Sequence, residues 1–199
     1  YLANTYLPLR LSFVNEAARL INSSGGNLDD VLKGVGMDSR IGQHYFRPSP
    51  AWGGSCFPKD LVEVNNFYDP KEVNLPLISN IIESNKIQTQ WTANMLRTIH
   101  DEKKLTGIIF VGAAFKEDTD DLRNSPTLDI YNLLKDEDIN VKIYDELIQS
   151  DEYLTLDDFE NLDSPYLIAL MYPIKDQLMS KINKILNNTN SFLYTPWQL

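Results

Sequence analysis

The hydrophobic rhythm of the chain changes near residue 101. Before that point, apolar residues recur at helical spacing. Leu7, Leu11, Val14, Ala18 and Ile21 lie three and four apart and predict a helix over 7–22. Pro8 falls early in that stripe, so regular helix is expected to begin at or after it. Ser23-Ser24-Gly25-Gly26 supplies the stop. Asn27 then reads as an N-cap, with Asp29 and Asp30 in the first turn, where carboxylates suit the helix dipole. Residues 38–60 are rich in Gly, Pro and Ser and predict a long ordered loop. After Leu75-Pro76 a second stripe runs through Ile78, Ile81, Ile82, Asn85, Thr89, Thr92, Leu96 and Ile99. It predicts one helix from about 76 to 99.

Beyond residue 101 the pattern alternates. Leu105 to Val111 is an apolar run expected to form a buried strand. Ser125-Pro126 reads as an N-cap followed by Pro at the first helical position, opening a helix to about Lys135. Ile139, Val141 and Ile143 alternate with polar neighbours as a second strand, and Tyr166 to Tyr172 is a third apolar run. Strand, helix, strand and strand at this spacing predict a parallel α/β sheet. The organisation expected is a helical domain over 1–100 and a parallel α/β domain over 101–199.

Composition narrows the function. The 199 residues carry 18 Lys+Arg against 28 Asp+Glu, a net charge of −10, which argues against a nucleic-acid partner. No apolar run approaches the roughly 18–20 residues of a bilayer span. One cysteine excludes an intramolecular disulfide framework and fits a reducing, cytoplasmic setting. Two histidines and one cysteine leave little material for a zinc site, and no metal is expected.

Three stretches carry candidate chemistry. In Gly53-Gly54-Ser55-Cys56-Phe57-Pro58-Lys59-Asp60, the glycines would let backbone approach a ligand. Pro58 would open a helix, leaving Cys56 just before its N-terminus. The partial positive charge of such an end favours a thiolate, Lys59 acts in the same sense, and Asp60 could bond the thiol or a water. A small buried hydrophobe is the alternative role for Cys56. In Phe115-Lys116-Glu117-Asp118-Thr119-Asp120-Asp121-Leu122-Arg123, two cations lie among acids between a strand end and a helix start. In open α/β sheets ligands bind there, so a phosphate group suits Lys116 and Arg123. A solvated loop whose charges pair locally fits the same residues. Asp38-Ser39-Arg40-Ile41-Gly42, followed by Tyr45 and Arg47, reads in isolation as a surface loop, and Asn4, Asn15 and Glu16 as surface polar positions. Val111-Gly112-Ala113-Ala114-Phe115 is not a G-x-G-x-x-G fingerprint.

Taken in order, Ala3-Asn4-Thr5-Tyr6-Leu7, Asn15-Glu16, Asp38-Ser39-Arg40-Ile41-Gly42, Gly53 to Asp60 and Phe115 to Pro126 resemble the UDP-glucose/GDP-mannose dehydrogenase family. The Asp-x-Arg-Ile-Gly element resembles its UDP-glucose-oxidising branch. Members acting on UDP-N-acetylmannosamine would show His and Val inside the cysteine motif, where this chain has Ser55 and Lys59. The resemblance covers residues 1–64 and about 105–148. It departs at Pro8, at Ser49-Pro50-Ala51 and at Asp145-Glu146, and fades over 149–199.

The resemblance implies a central helical dimerisation domain and a C-terminal Rossmann-like α/β domain that binds the nucleotide sugar, without the family's N-terminal NAD-binding Rossmann domain. The chain is therefore expected to be a piece of a longer NAD-dependent enzyme and inactive by itself, with the family's lysine falling just before Tyr1. The implied reaction oxidises UDP-glucose to UDP-glucuronate for polysaccharide synthesis, through a cysteine thiohemiacetal and thioester. Cys56, Asp60 and Asn4 are the implied catalytic residues. Arg47, Pro48, Ser49, Pro50, Ala51, Trp52, Gly53, Phe115 and Lys116 are the implied substrate contacts. Arg40 would reach into a neighbouring subunit's site, which implies a homodimer joined by the central helices. Lys59 and Arg123 are the implied NAD contacts. A GDP-mannose or other UDP-hexose dehydrogenase, or a non-catalytic nucleotide-sugar-binding or dimerisation module, are the alternatives.

Overall fold

The computed structural model describes residues 1–67 and 72–197. Five helices come first: α1 (Leu2–Ser23), α2 (Leu28–Gly36), α3 (Cys56–Phe67), α4 (Pro76–Ser79) and α5 (Ile81–Lys103). A parallel α/β unit follows: β1 (Gly107–Val111), α6 (Pro126–Lys135), β2 (Val141–Tyr144), α7 (Leu156–Glu160), β3 (Tyr166–Leu170), α8 (Asp176–Thr189) and β4 (Phe192–Tyr194).

Helix α1 continues through Pro8, so the expectation that regular helix starts there is corrected. Pro8 lacks the N–H that would bond the Asn4 carbonyl, a loss of about 3 kcal/mol in a helix interior. Packing of α1 on α2, α3 and α5 offsets it. Asn27 caps α2 as expected, its side chain accepting the Asp30 N–H at 3.0 Å. The single helix expected from about 76 to 99 is broken at Asn80 and extends to Lys103. The break is local. Asn80 donates to the Pro76 carbonyl at 2.6 Å, and the Ser79 hydroxyl to the Leu75 carbonyl at 2.9 Å. Such bonds offer the backbone an alternative to continuing helix. Lys104, in the left-handed region at φ 53°, ends α5.

The sheet order is β2-β1-β3-β4, all parallel, with Ile108 opposite Val141 and Leu167. Alternation along β1 divides the core in two. Ile108 and Phe110 pack with Leu96, Ile130 and Leu134 beneath α5 and α6. Ile109 and Val111 pack with Phe159, Leu178 and Ile182 beneath α7 and α8. Helix α5 packs against both α1 and α6 and so joins the helical region to the sheet. Strand order reverses between β1 and β3, and ligands of open α/β sheets bind outside the carboxyl ends at such a point. The loops 112–125 and 171–175 leave from those ends.

Candidate active site

The long loop between α2 and α3 runs over α1 and α5, and buried polar side chains on those helices hold it there. The Asn15 carbonyl oxygen accepts the Ser49 N–H at 2.8 Å. Gln88 donates to the Ser49 carbonyl at 3.0 Å and the Thr92 hydroxyl to the Pro50 carbonyl at 2.8 Å. Asn85 bonds both backbone groups of Trp52, accepting its N–H at 2.9 Å and donating to its carbonyl at 2.8 Å. The Trp52 indole N–H donates to Ser12 Oγ at 2.9 Å. Each bond satisfies a loop group that would otherwise be stranded against the helices. Asn15 is 1% exposed, which corrects its reading as a surface residue. Ser12 and Gln88 escaped sequence reading. The available signal was a polar residue set among the apolar positions of α1 for Ser12 and of α5 for Gln88.

The glycine pair has a different use from the one expected. A Cβ at Gly53 would stand 2.0 Å from the Asn124 carbonyl oxygen, and one at Gly54 2.8 Å from the Phe115 ring. Gly54 is also in the left-handed region at φ 89°. The pair lets the cysteine loop press on the loop after β1. The Gly54 N–H donates to the Arg123 carbonyl at 3.1 Å, and Asn124 Nδ2 donates to the Gly54 carbonyl at 3.1 Å.

Cys56 is the first residue of α3, two residues earlier than the Pro58 start expected, and it is exposed. Two residues beyond Pro58, Asp60 is 6% exposed. Asn4 Nδ2 donates to its Oδ2 at 2.7 Å and Lys59 Nζ to its Oδ1 at 2.6 Å. These bonds, Lys59 first and Asn4 second, hold the Asp60 carboxyl below its ordinary range. Asp60 in turn raises the Lys59 ammonium above its own.

A cleft of ≈ 400 Å³ opens over this cluster, lined by Asn4, Cys56, Trp52, Gly53, Phe115 and Lys116 among others. A volume of this order suits a small organic ligand. Tyr45, held at φ 53°, stands on its rim. A second cleft of ≈ 200 Å³ shares Ser49, Ala51, Phe115 and Lys116 with the first and continues past Arg47 and Pro48 to the carboxyl ends of β1 and β3. There it meets Thr127, Met171, Tyr172 and Trp197, which sequence reading did not single out. Trp197 lies in the divergent tail, with the Arg47 guanidinium 5.9 Å over its ring. Burial, followed by the charge of Asp145, pushes the Tyr172 hydroxyl well above its ordinary range.

Other expected residues lie outside both clefts. Pro50 lines neither, its carbonyl serving as the anchor to Thr92. Arg40 points to solvent and pairs with Asp38 at 2.6 Å. Arg123 pairs with Asp121 at 2.8 Å, and Lys175 with Asp118 at 2.8 Å, so much of the charged loop pairs locally. The Arg123 guanidinium holds Asp121 down to about 2. Ser125 occupies the N-cap position of α6, but its hydroxyl donates to the Ala113 carbonyl at 2.5 Å instead of capping the helix. Among the described residues no cluster of three metal-ligating side chains occurs, and no helix is long and apolar enough to cross a membrane.

Comparison with known proteins covers both regions. Residues 1–87 match the central domain of the UDP-glucose/GDP-mannose dehydrogenase family, and residues 109–183 its UDP binding domain. A UDP-glucose 6-dehydrogenase from Rickettsia felis is 36% identical over 148 residues, covering 74% of this chain and 33% of that protein. One from Bacillus subtilis is 35% identical over 147 residues, covering 74% and 32%. The chain thus spans about a third of these relatives' length. Among solved structures, a UDP-glucose dehydrogenase from Pyrobaculum islandicum superposes with TM-score 0.71 at 25% identity, covering 86% of this chain and 42% of that one. A UDP-D-ManNAc dehydrogenase from Pyrococcus horikoshii superposes with TM-score 0.76 at 24% identity, covering 98% and 46%. The latter likeness is one of fold.

Proposed function

We propose, from the premise that this chain belongs to the UDP-glucose/GDP-mannose dehydrogenase family, that it carries the cysteine and nucleotide-sugar half of an NAD-dependent UDP-glucose 6-dehydrogenase. In this reading residues 1–100 form the dimerisation domain and 101–199 the nucleotide-sugar-binding domain. The observation that carries it is the pair of joined clefts. One end is lined by Cys56 and Asn4, and the other reaches the carboxyl ends of β1 and β3.

In this reading the sugar lies in the larger cleft and the diphosphate and base extend past Lys116 towards Tyr172. NAD⁺, when bound, takes up the two hydrides released as the C6 alcohol becomes a carboxylate. Exposed Lys59 and Arg123, both within electrostatic influence of Cys56, suit the anionic diphosphate of that dinucleotide. At the aldehyde level the Cys56 sulfur bonds C6 and the thiol proton passes to the carbonyl oxygen, giving a thiohemiacetal. Asn4 steadies that oxygen, since one of its amide N–H groups engages Asp60 and the other is available. Oxidation of the thiohemiacetal leaves a thioester. Water adds to its carbonyl, the C–S bond breaks, and the carboxylate and the Cys56 thiol are released. Asp60, ionised because of Lys59 and Asn4, can accept a hydrogen bond from that water.

A homodimer is supported by the apolar residues α1 exposes at Leu2, Tyr6, Phe13 and Leu20, and by Ile87 on α5. Arg40, exposed on its loop, would exchange its pairing with Asp38 for a contact in a second subunit. The enzyme would be cytoplasmic, as the lone free cysteine suits. The 199 residues alone, which contain no G-x-G-x-x-G, would not turn over. The test is turnover by the full-length protein with NAD⁺ and either UDP-glucose or GDP-mannose, following NADH and the sugar acid. Two NADH per UDP-glucose with little from GDP-mannose is expected. Preference for GDP-mannose, or no turnover of either, overturns the assignment.

A further inference from the structure

Asp145, the first residue after β2, is only 8% exposed. Its carboxylate accepts four hydrogen bonds. Oδ2 takes the Ala113 N–H at 2.7 Å and the Tyr172 hydroxyl at 3.2 Å. Oδ1 takes the N–H groups of Leu147 and Ile148 at 2.8 and 2.9 Å. The donors come from the loops that follow β1, β3 and β2 respectively. One buried acid therefore ties together the carboxyl-end loops of three adjacent strands.

Two of those loops form the smaller cleft. Ala113 immediately precedes Ala114, Phe115 and Lys116, which line it together with Tyr172. Tyr172 is constrained from a second direction as well. At Gly112, φ 103°, a Cβ would stand 2.4 Å from the Tyr172 ring, so the ring lies flush on the backbone that leaves β1. Hydroxyl on Asp145 and ring on Gly112 leave Tyr172 one seat.

We propose that Asp145 is a positioning residue for the nucleotide end of the substrate. It sets the separation of Phe115-Lys116 from Tyr172, and hence the shape of the cleft that receives the nucleoside diphosphate. The assignment rests on the reading of this cleft as the nucleotide site. A carboxylate is required because all four partners are donors. Asn at this position would turn an N–H₂ towards Ala113 N–H and Tyr172 O–H, or else towards the amides of Leu147 and Ile148.

The test compares wild type, Asp145→Asn and Tyr172→Phe in the full-length protein. It measures UDP binding by calorimetry, KM and kcat for UDP-glucose, and the rate of Cys56 alkylation by iodoacetamide. Asp145→Asn is expected to weaken UDP binding and raise KM about tenfold, with kcat and Cys56 alkylation within about twofold of wild type. Tyr172→Phe, which removes one hydrogen bond and no ring atoms, is expected to shift UDP affinity and KM about threefold in the same direction. If wild type binds UDP and both variants match it, the positioning role is overturned while the nucleotide reading stands. If wild type itself does not bind UDP, the nucleotide reading fails and the proposal with it. If Asp145→Asn unfolds, Tyr172→Phe decides, unchanged affinity counting against the proposal. Parallel loss of kcat, Cys56 alkylation and binding in folded variants also counts against it, because that is the mark of a general structural role.

Discussion

The loop 37–55 and the loop 112–125 meet over the candidate site, but they are held by different means. The first is pinned from beneath by side chains of two helices, Arg10 at Ile41 and Gly42 and, over residues 49–52, Ser12 and Asn15 on α1 and Asn85, Gln88 and Thr92 on α5. The second leaves β1, which is paired on both sides, by β2 and β3. It is fixed at its two ends, by Asp145 at Ala113 and by the Ser125 and Thr127 hydroxyls on the Ala113 and Gly112 carbonyls. Between those ends its charges pair among themselves and with Lys175. A loop without a sheet beneath it needs an anchor every residue or two. A loop that continues a strand needs anchors only where it leaves and returns.

The largest effect should come from breaking the contact between the two loops. Gly53→Ala places a Cβ against the Asn124 carbonyl and must move backbone. It should cost about 3 kcal/mol, read by denaturant unfolding. If the loops are independent, the substitution will be nearly silent. Next, Thr92→Val strands the buried Pro50 carbonyl and should cost about 1–2 kcal/mol by the same measurement. Ser125→Ala removes one anchor from a loop whose neighbouring strands are intact. It should cost less, about 1 kcal/mol, which makes the pair a direct test of how differently the loops are held.

The smallest effect is confined to acid. Arg123 lowers Asp121 to about 2 from an ordinary 3.8, so this ion pair's contribution is present above pH 3.8 and lost as pH falls towards 2. Asp121→Asn should therefore flatten the stability–pH curve between about pH 4 and 2 and leave its shape near neutrality unchanged. Both partners reach solvent, so the change should be small and should shrink further in salt.

The elements that sequence periodicity reached were those with a continuous apolar stripe or run: α1, α5, α6 and the first three strands. What escaped depended on groups distant in sequence or on short polar signals. Helix α7 is announced only by the capping box of Thr155 and Asp158. Helix α8 carries its stripe, Leu178, Ile182 and Ile185, among nine surrounding polar or charged residues that mask it on average. Strand β4 is three residues long. In the site, Cys56, Asn4 and the Phe115-Lys116 pair were legible as motifs, and the structure brings them to one cleft. The bond between Asn4 and Asp60 spans 56 positions and no local pattern encodes it. The glycine pair was legible as a close approach, but its partner, the Asn124 backbone, was not. Tyr172 and Trp197 sit beyond the reach of the motifs that mark the rest of the site.

The proposed chemistry stands or falls on Cys56. The direct measurement is UDP-glucuronate and NADH production by full-length wild type and Cys56→Ala under saturating UDP-glucose and NAD⁺. The account predicts that carboxylate formation falls by about 10³-fold or more in the variant, with UDP binding retained. Carboxylate formed by Cys56→Ala at the wild-type rate would contradict it.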